Sequence, residues 1–196
     1  LKTLDKALAE HTGHPAYKTV VEMAKPVREG LAQLSDFMSF PQRICHGDLK
    51  ISNLLFENQQ ATGLIDLDTL APMPLAHEMG DALRSWCNLQ DEESADAAFS
   101  LPYFEAALRG YHASTQGLFE RDELLSMVGG LEMISLELTV RFLADALNES
   151  YFGWNQKIYT RASEHNLKRA RGQWSFAGSV AEQRQEAEAI LKRLIA

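Results

Sequence analysis

Apolar residues recur at three- and four-residue steps through most of the chain, and that period predicts helices rather than strands. Leu4, Ala7, Leu8 and His11 form one such stripe over residues 3 to 11, which Gly13, His14 and Pro15 bring to an end. A second helix is expected from about Pro26, a favoured first-turn residue, through Val27, Leu31, Leu34 and Met38 to a stop at Pro41. Between residues 43 and 70 the texture changes to short apolar runs, "RIC", "NLLF" and "GLIDL", separated by polar turn material. These predict two or three short strands of a small sheet, the last two a hairpin. The helical period then returns, with helices expected over residues 77–89, 102–113, 120–148 and 165–195 and Ser163 capping the last. A wide stripe from Leu124 to Leu143 predicts a central core helix, in which Gly129 and Gly130 mark a close crossing or a kink.

With 196 residues and 45% apolar content, residues 1–196 can bury a core as a single domain. The sequence has no apolar run of about 18 residues and no export signal, so no membrane partner is expected and the protein is read as cytoplasmic. A net charge of −8 opposes a nucleic-acid partner and suits metal ions. Cys45 and Cys87 lack metal-ligand spacing and read as buried thiols.

The candidate chemistry lies in the strand region, where "HGDLKISNLLF" (46–56) is followed by "GLIDLD" (63–68). Phosphoryl transfer requires a carboxylate to orient the attacking hydroxyl, a cation at the phosphate in flight and oxygen ligands for magnesium. Asp48, Lys50 and Asn53 supply those three types within one loop, and Asp66 supplies a further carboxylate at the end of the next strand. Asp68, two residues on, points the same way if that strand stays regular. His46 can brace Asp48 or its backbone, and Gly47 can supply a backbone angle that a side chain would forbid. Either motif alone also fits a strand whose carboxylates cap the next element. Their pairing, eighteen residues apart from Asp48 to Asp66, favours the chemical reading.

The two motifs together resemble the catalytic and metal-binding loops of the aminoglycoside phosphotransferase and choline kinase superfamily, relatives of protein kinases. The resemblance implies an α+β fold: a mostly helical C-terminal lobe of a protein-kinase-like fold, with a small antiparallel β element carrying both loops. It also implies ATP and Mg2+ as cofactors, Asp48 as catalytic base, Asn53 and Asp66 as metal ligands, and Lys50 at the transferred phosphate. "HEMGDALRSWCN" resembles the helix after the metal loop, where Asp81 has an architectural role. "LELTVRFLADALNESYFGW" and "HNLKRARGQW" resemble the N-acetylhexosamine kinase branch. Two departures qualify the likeness. No glycine-rich phosphate loop of either common type occurs, so the ATP-covering N-terminal lobe is expected to be absent from this chain. "IDLD" stands where protein kinases have D-F-G, and no A-P-E segment follows.

The leading expectation is therefore a small-molecule kinase whose partner is a hydroxyl acceptor, a sugar or an amino alcohol. Asp68 would serve as a second metal or supporting residue. Arg84, Arg141, Tyr151 and Trp154 are acceptor-binding candidates, since guanidinium forks and aromatic faces suit polyols. Trp86 and the basic cluster Arg161, Lys168, Arg169 and Arg171 read instead as core packing and a solvated helix face. Two alternatives stand beside it: a metal-dependent phosphoesterase using His46, Asp48, Asp66, Asp68 and His77, and a non-catalytic kinase-like binding module.

Overall fold

The computed structural model describes residues 1–90 and 94–196. In chain order the elements are α1 (Lys2–Glu10), α2 (Tyr17–Ala32), β1 (Gln42–Cys45), β2 (Leu54–Glu57), β3 (Gln60–Leu64), β4 (Ala71–Pro74), α3 (Leu75–Trp86), α4 (Leu101–Ser114), α5 (Arg121–Asn148), α6 (Ala162–Glu182) and α7 (Arg184–Leu194). This is the mostly helical α+β architecture with small antiparallel β elements that the sequence predicts. No described helix is long and apolar enough to cross a membrane.

The chain divides into two compact units. The first holds residues 1–34, 90–97 and 135–178, and the second holds residues 35–89, 98–134 and 179–196. In the first, Leu4, Val20 and Val27 join Leu136, Val140, Leu143, Leu147 and Ala177 in one apolar cluster. The second helix differs from expectation: it starts at Tyr17, so Pro26 lies in its interior, and it ends at Ala32 rather than near Met38. Burial of Val20, Ala24 and Val27 on one stripe outweighs the backbone hydrogen bond that Pro26 cannot make. Its start has no side-chain cap to read; Ala16 N donates instead to His14 Nδ1 at 3.1 Å. Ser163 is not the cap of α6 but its second residue. Glu149 accepts from Ser163 N at 3.0 Å, while Glu164 Oε2 accepts from Thr160 N at 2.8 Å, so carboxylates close that helix end.

In the second unit, α3 and α5 cross at their glycines. A Cβ on Gly130 would lie 2.1 Å from the carbonyl oxygen of Ala76, and one on Gly80 would lie 2.6 Å from that of Gly130. Gly129 in turn makes room for the Phe37 ring, so the glycine pair marks a close crossing. The β element is two antiparallel ribbons, one pairing β2 with β3 as the expected hairpin and the other pairing β1 with β4. The hairpin turns at Asn58 and Gln59, both at positive φ (48° and 66°), the geometry of a tight two-residue connection. The long C-terminal helix expected over 165–195 is two helices broken at Gln183, whose side chain donates to the carbonyl oxygens of Phe99 and Ser179.

Candidate functional site

The residues from His46 to Arg84 belong to the second unit. β1 delivers the chain to His46, and the loop that follows turns back on itself because Gly47 adopts φ +81°. A side chain there would also lie 2.7 Å from the carbonyl oxygen of Thr69, so glycine is required twice over. The loop is held from below by a buried carboxylate: Glu78 Oε1 accepts from His46 N and Oε2 from Gly47 N, each at 2.9 Å. Sequence reasoning passed over Glu78 in favour of its neighbour Asp81. The available signal was an acidic residue in the first turn of the helix that follows the second motif. Thr69 and Ser85 were missed as well. Thr69 Oγ1 donates to the His46 carbonyl oxygen at 2.7 Å, and Ser85 Oγ accepts from Ile51 N at 3.0 Å.

His46 is buried and joins the two motifs. Nε2 lies 2.9 Å from the Ile65 carbonyl oxygen, which can only accept, so Nε2 carries the proton and Nδ1 is free to accept from Asp48 N at 3.3 Å. Ile65 N donates to the Asn53 carbonyl oxygen at 3.0 Å. The catalytic-type loop and the metal-type loop are therefore one hydrogen-bonded body.

On this body, Asp48 Oδ2 accepts from Lys50 Nζ at 2.5 Å and from Asn53 Nδ2 at 3.1 Å, and the same Asn53 amide donates to the Asp48 carbonyl oxygen at 2.8 Å. Asn53 is buried, sits in a 3-10 turn over Ile51–Asn53, and spends its amide hydrogens on Asp48, which leaves its carbonyl oxygen for a ligand. The Lys50 ammonium is raised above its ordinary range, first by the hydrogen bond to Asp48 and, against partial burial, by the charges of Asp48, Asp66 and Asp81.

Asp66 follows β3, which ends at Leu64, and adopts a left-handed conformation at φ +68°. That conformation corrects one expectation. The strand does not stay regular, so alternation does not carry Asp68 to the side of Asp66; Asp68 lies in a 3-10 turn over Leu67–Thr69. Asp81 Oδ1 accepts from Arg84 Nη2 at 2.8 Å on α3, while Asp81 Oδ2 is buried with no hydrogen-bond partner among the described residues.

Arg141, Tyr151 and Trp154 belong to the first unit. Arg141 donates to the Tyr151 hydroxyl at 3.2 Å, and its guanidinium lies over the Tyr151 and Phe152 rings at 5.6 and 5.5 Å. The loop that carries these rings is pinned by Asp145, a buried carboxylate that accepts from Ser150 N, Tyr151 N, Phe152 N and Asn166 Nδ2. Of the basic cluster, Arg161 binds both Glu149 oxygens, Arg169 donates to the Gly153 carbonyl oxygen at 2.8 Å, and Lys168 lies over the Tyr159 ring. These three side chains thus make specific contacts where a plain solvated face was expected.

Hard oxygens on Asn53 and Asp66 suit magnesium, which prefers oxygen ligands and keeps several of its waters. They suit a two-metal hydrolase poorly. Both His46 ring nitrogens are engaged with backbone, and among the described residues no three His, Cys, Asp or Glu side chains group as a metal centre.

A family model described as the phosphotransferase enzyme family, APH, matches residues 3–118, a span that contains every residue from His46 to Arg84. The homoserine kinase of Zymomonas mobilis is 28% identical over 110 residues, which amount to 55% of this chain. That match spans 33% of the length of the relative.

Proposed function

Because the chain belongs to the phosphotransferase enzyme family APH, we propose that it carries the catalytic loops of an ATP- and Mg2+-dependent kinase that phosphorylates a hydroxyl of a small molecule. In this reading, residues 1–196 act as the C-terminal, acceptor-binding lobe, and a phosphate-covering loop comes from outside them. The single observation that carries the proposal is the cross-linking of the two motifs. His46 and Ile65 hold the Asp48 loop and the Asp66 loop in one body, with Asp48, Lys50 and Asn53 joined side chain to side chain.

Asp48 is the base. Its Oδ2 is anchored by Lys50 and Asn53, so Oδ1 is the oxygen that orients the acceptor hydroxyl and takes its proton as the new O–P bond forms. Lys50 shifts from Asp48 to the transferred phosphate group and offsets its charge. Asn53 and Asp66 would hold magnesium, with Asp68 in support, and that ion would supply charge neutralisation. Asp81 and Arg84 form an ion pair within α3, while Glu78 and Ser85 keep that helix under the loop. The acceptor is a sugar of the N-acetylhexosamine kind. Homoserine, the substrate in the name of the matched relative, is the competing acceptor. ADP release by the longest native polypeptide, with Mg-ATP and a panel led by N-acetylhexosamines and homoserine, decides between them. Asp48→Asn should lower turnover by at least about a thousandfold with the fold intact; activity retained in that variant would remove Asp48 from its role.

A further inference from the structure

Lys50 Nζ sits 2.5 Å from Asp48 Oδ2, and the residue before Asp66, Ile65, is bonded to His46 and Asn53 on either side of that pair, so the Asp66 charge acts on the same ammonium. The Lys50 side chain is 40% exposed, and its head can leave for another anion without emptying a packed site. A free divalent ion approaching Asp66 meets that ammonium as a like charge. The chain also offers such an ion little in return. Among the described residues no three His, Cys, Asp or Glu side chains group for a metal, and one carboxylate with one amide is a thin set for an ion that demands six oxygens. Nucleotide phosphates change both terms, because they complete the oxygen shell and give Lys50 a stronger anion than Asp48.

Resting on the phosphotransferase reading above, we propose that Lys50 is the resident cation of the site, a stand-in that keeps free divalent metal off Asp66 and withdraws only when metal arrives with nucleotide phosphates. Metal and nucleotide then enter as one complex, and Asp48 and Asp66 are never left as uncompensated neighbours. This role is separate from any contact Lys50 makes with phosphate during transfer, since it acts when no nucleotide is present.

The test is Mn2+ binding to the longest native polypeptide without nucleotide, read by the loss of the free-ion electron paramagnetic resonance signal. Lys50→Met removes the charge and keeps most of the stem, and should bind Mn2+ at least on the order of tenfold more tightly than the parent. Lys50→Arg, which keeps the charge, should bind no more tightly than the parent, and Asp66→Asn in the Lys50→Met background should abolish the gain. Equal affinity of Lys50→Met and parent overturns the proposal, and so does a gain that survives Asp66→Asn. Lys50→Gln repeats the measurement should the methionine variant fail to fold. Turnover is not involved, so the kinase reading stands or falls separately on acceptor-dependent ADP release.

Discussion

Glu78 is the residue whose loss should be felt furthest from its own position. It is 8% exposed, and its two oxygens take the N–H groups of His46 and Gly47, adjacent residues immediately before Asp48. Each is a hydrogen bond to a charged acceptor, worth about 1.5–3 kcal/mol net. Glu78→Ala leaves two inward N–H groups without a partner, and after partial hydration of the gap the expected loss is about 3 kcal/mol. Glu78→Gln keeps one acceptor but turns an NH2 toward the second N–H, with an expected loss of about 2 kcal/mol. Glu78→Asp falls a methylene short of spanning both amides and should lie between parent and alanine. Against a typical domain stability of about 5–15 kcal/mol, all three are measurable by urea unfolding. Hydrogen exchange then locates the effect: the His46 and Gly47 amides should be protected in the parent and exchange rapidly in Glu78→Ala, while the α5 core amides keep their order of protection. A change below about 0.5 kcal/mol in Glu78→Ala, with both amides still protected, would refute the clamp.

Three further outcomes follow from sites elsewhere in the chain. Gly130→Ala drives a methyl into the Ala76 carbonyl and should destabilise by about 1–3 kcal/mol. Gly110→Ala, in an α4 site with nothing within 4 Å, should stabilise by about 0.5–1 kcal/mol; equal signs in thermal unfolding would contradict the assigned α3–α5 crossing. Glu149 is lowered to about 2, chiefly by its hydrogen bond to Arg161 and against its own desolvation. A lowered carboxylate contributes stability above its unfolded value near 4.5 and loses it as pH falls toward 2, so the parent should lose on the order of 1 kcal/mol more than Glu149→Gln between pH 5 and pH 2. Acid titrations of parent and variant that run parallel would deny that coupling.

The helical stripes, the hairpin and the glycine crossing were legible because periodicity and small residues report directly on burial and close approach. β4 was not. "APMP" puts Pro72 and Pro74 into four residues, a composition that reads as loop, yet these pair with Ile44 and Gln42 on a two-stranded ribbon where a missing N–H can face outward. The start of α2 was hidden for a different reason, since no capping side chain precedes Tyr17 and Pro26 imitates a first turn. The break at Gln183 depends on Phe99, a partner 84 residues away, which no local pattern reveals. In the site, Asp48, Lys50, Asn53 and Asp66 were visible as residue types in sequence, whereas Glu78 and Thr69 act only on backbone groups that folding brings to them. The left-handed turn at Asp66 was equally invisible, and with it the placement of Asp68.

The hairpin between the motifs behaves as a calliper. Its jaws are Asn53 and Asp66, beside the pair Leu54 and Leu64, and its far end is the two-residue turn at Asn58–Gln59. Because the jaw is closed locally by Ile65 N on the Asn53 carbonyl oxygen, the gauge between Asn53 and Asp66 does not depend on how long the arms are. Adding or removing residues in facing pairs at the tip leaves that gauge untouched, and the hairpin already absorbs one unpaired residue, Thr62, where the register shifts between Leu55 and Phe56. The tip is thus the place where this chain can vary in length or carry a graft without recalibrating its chemistry.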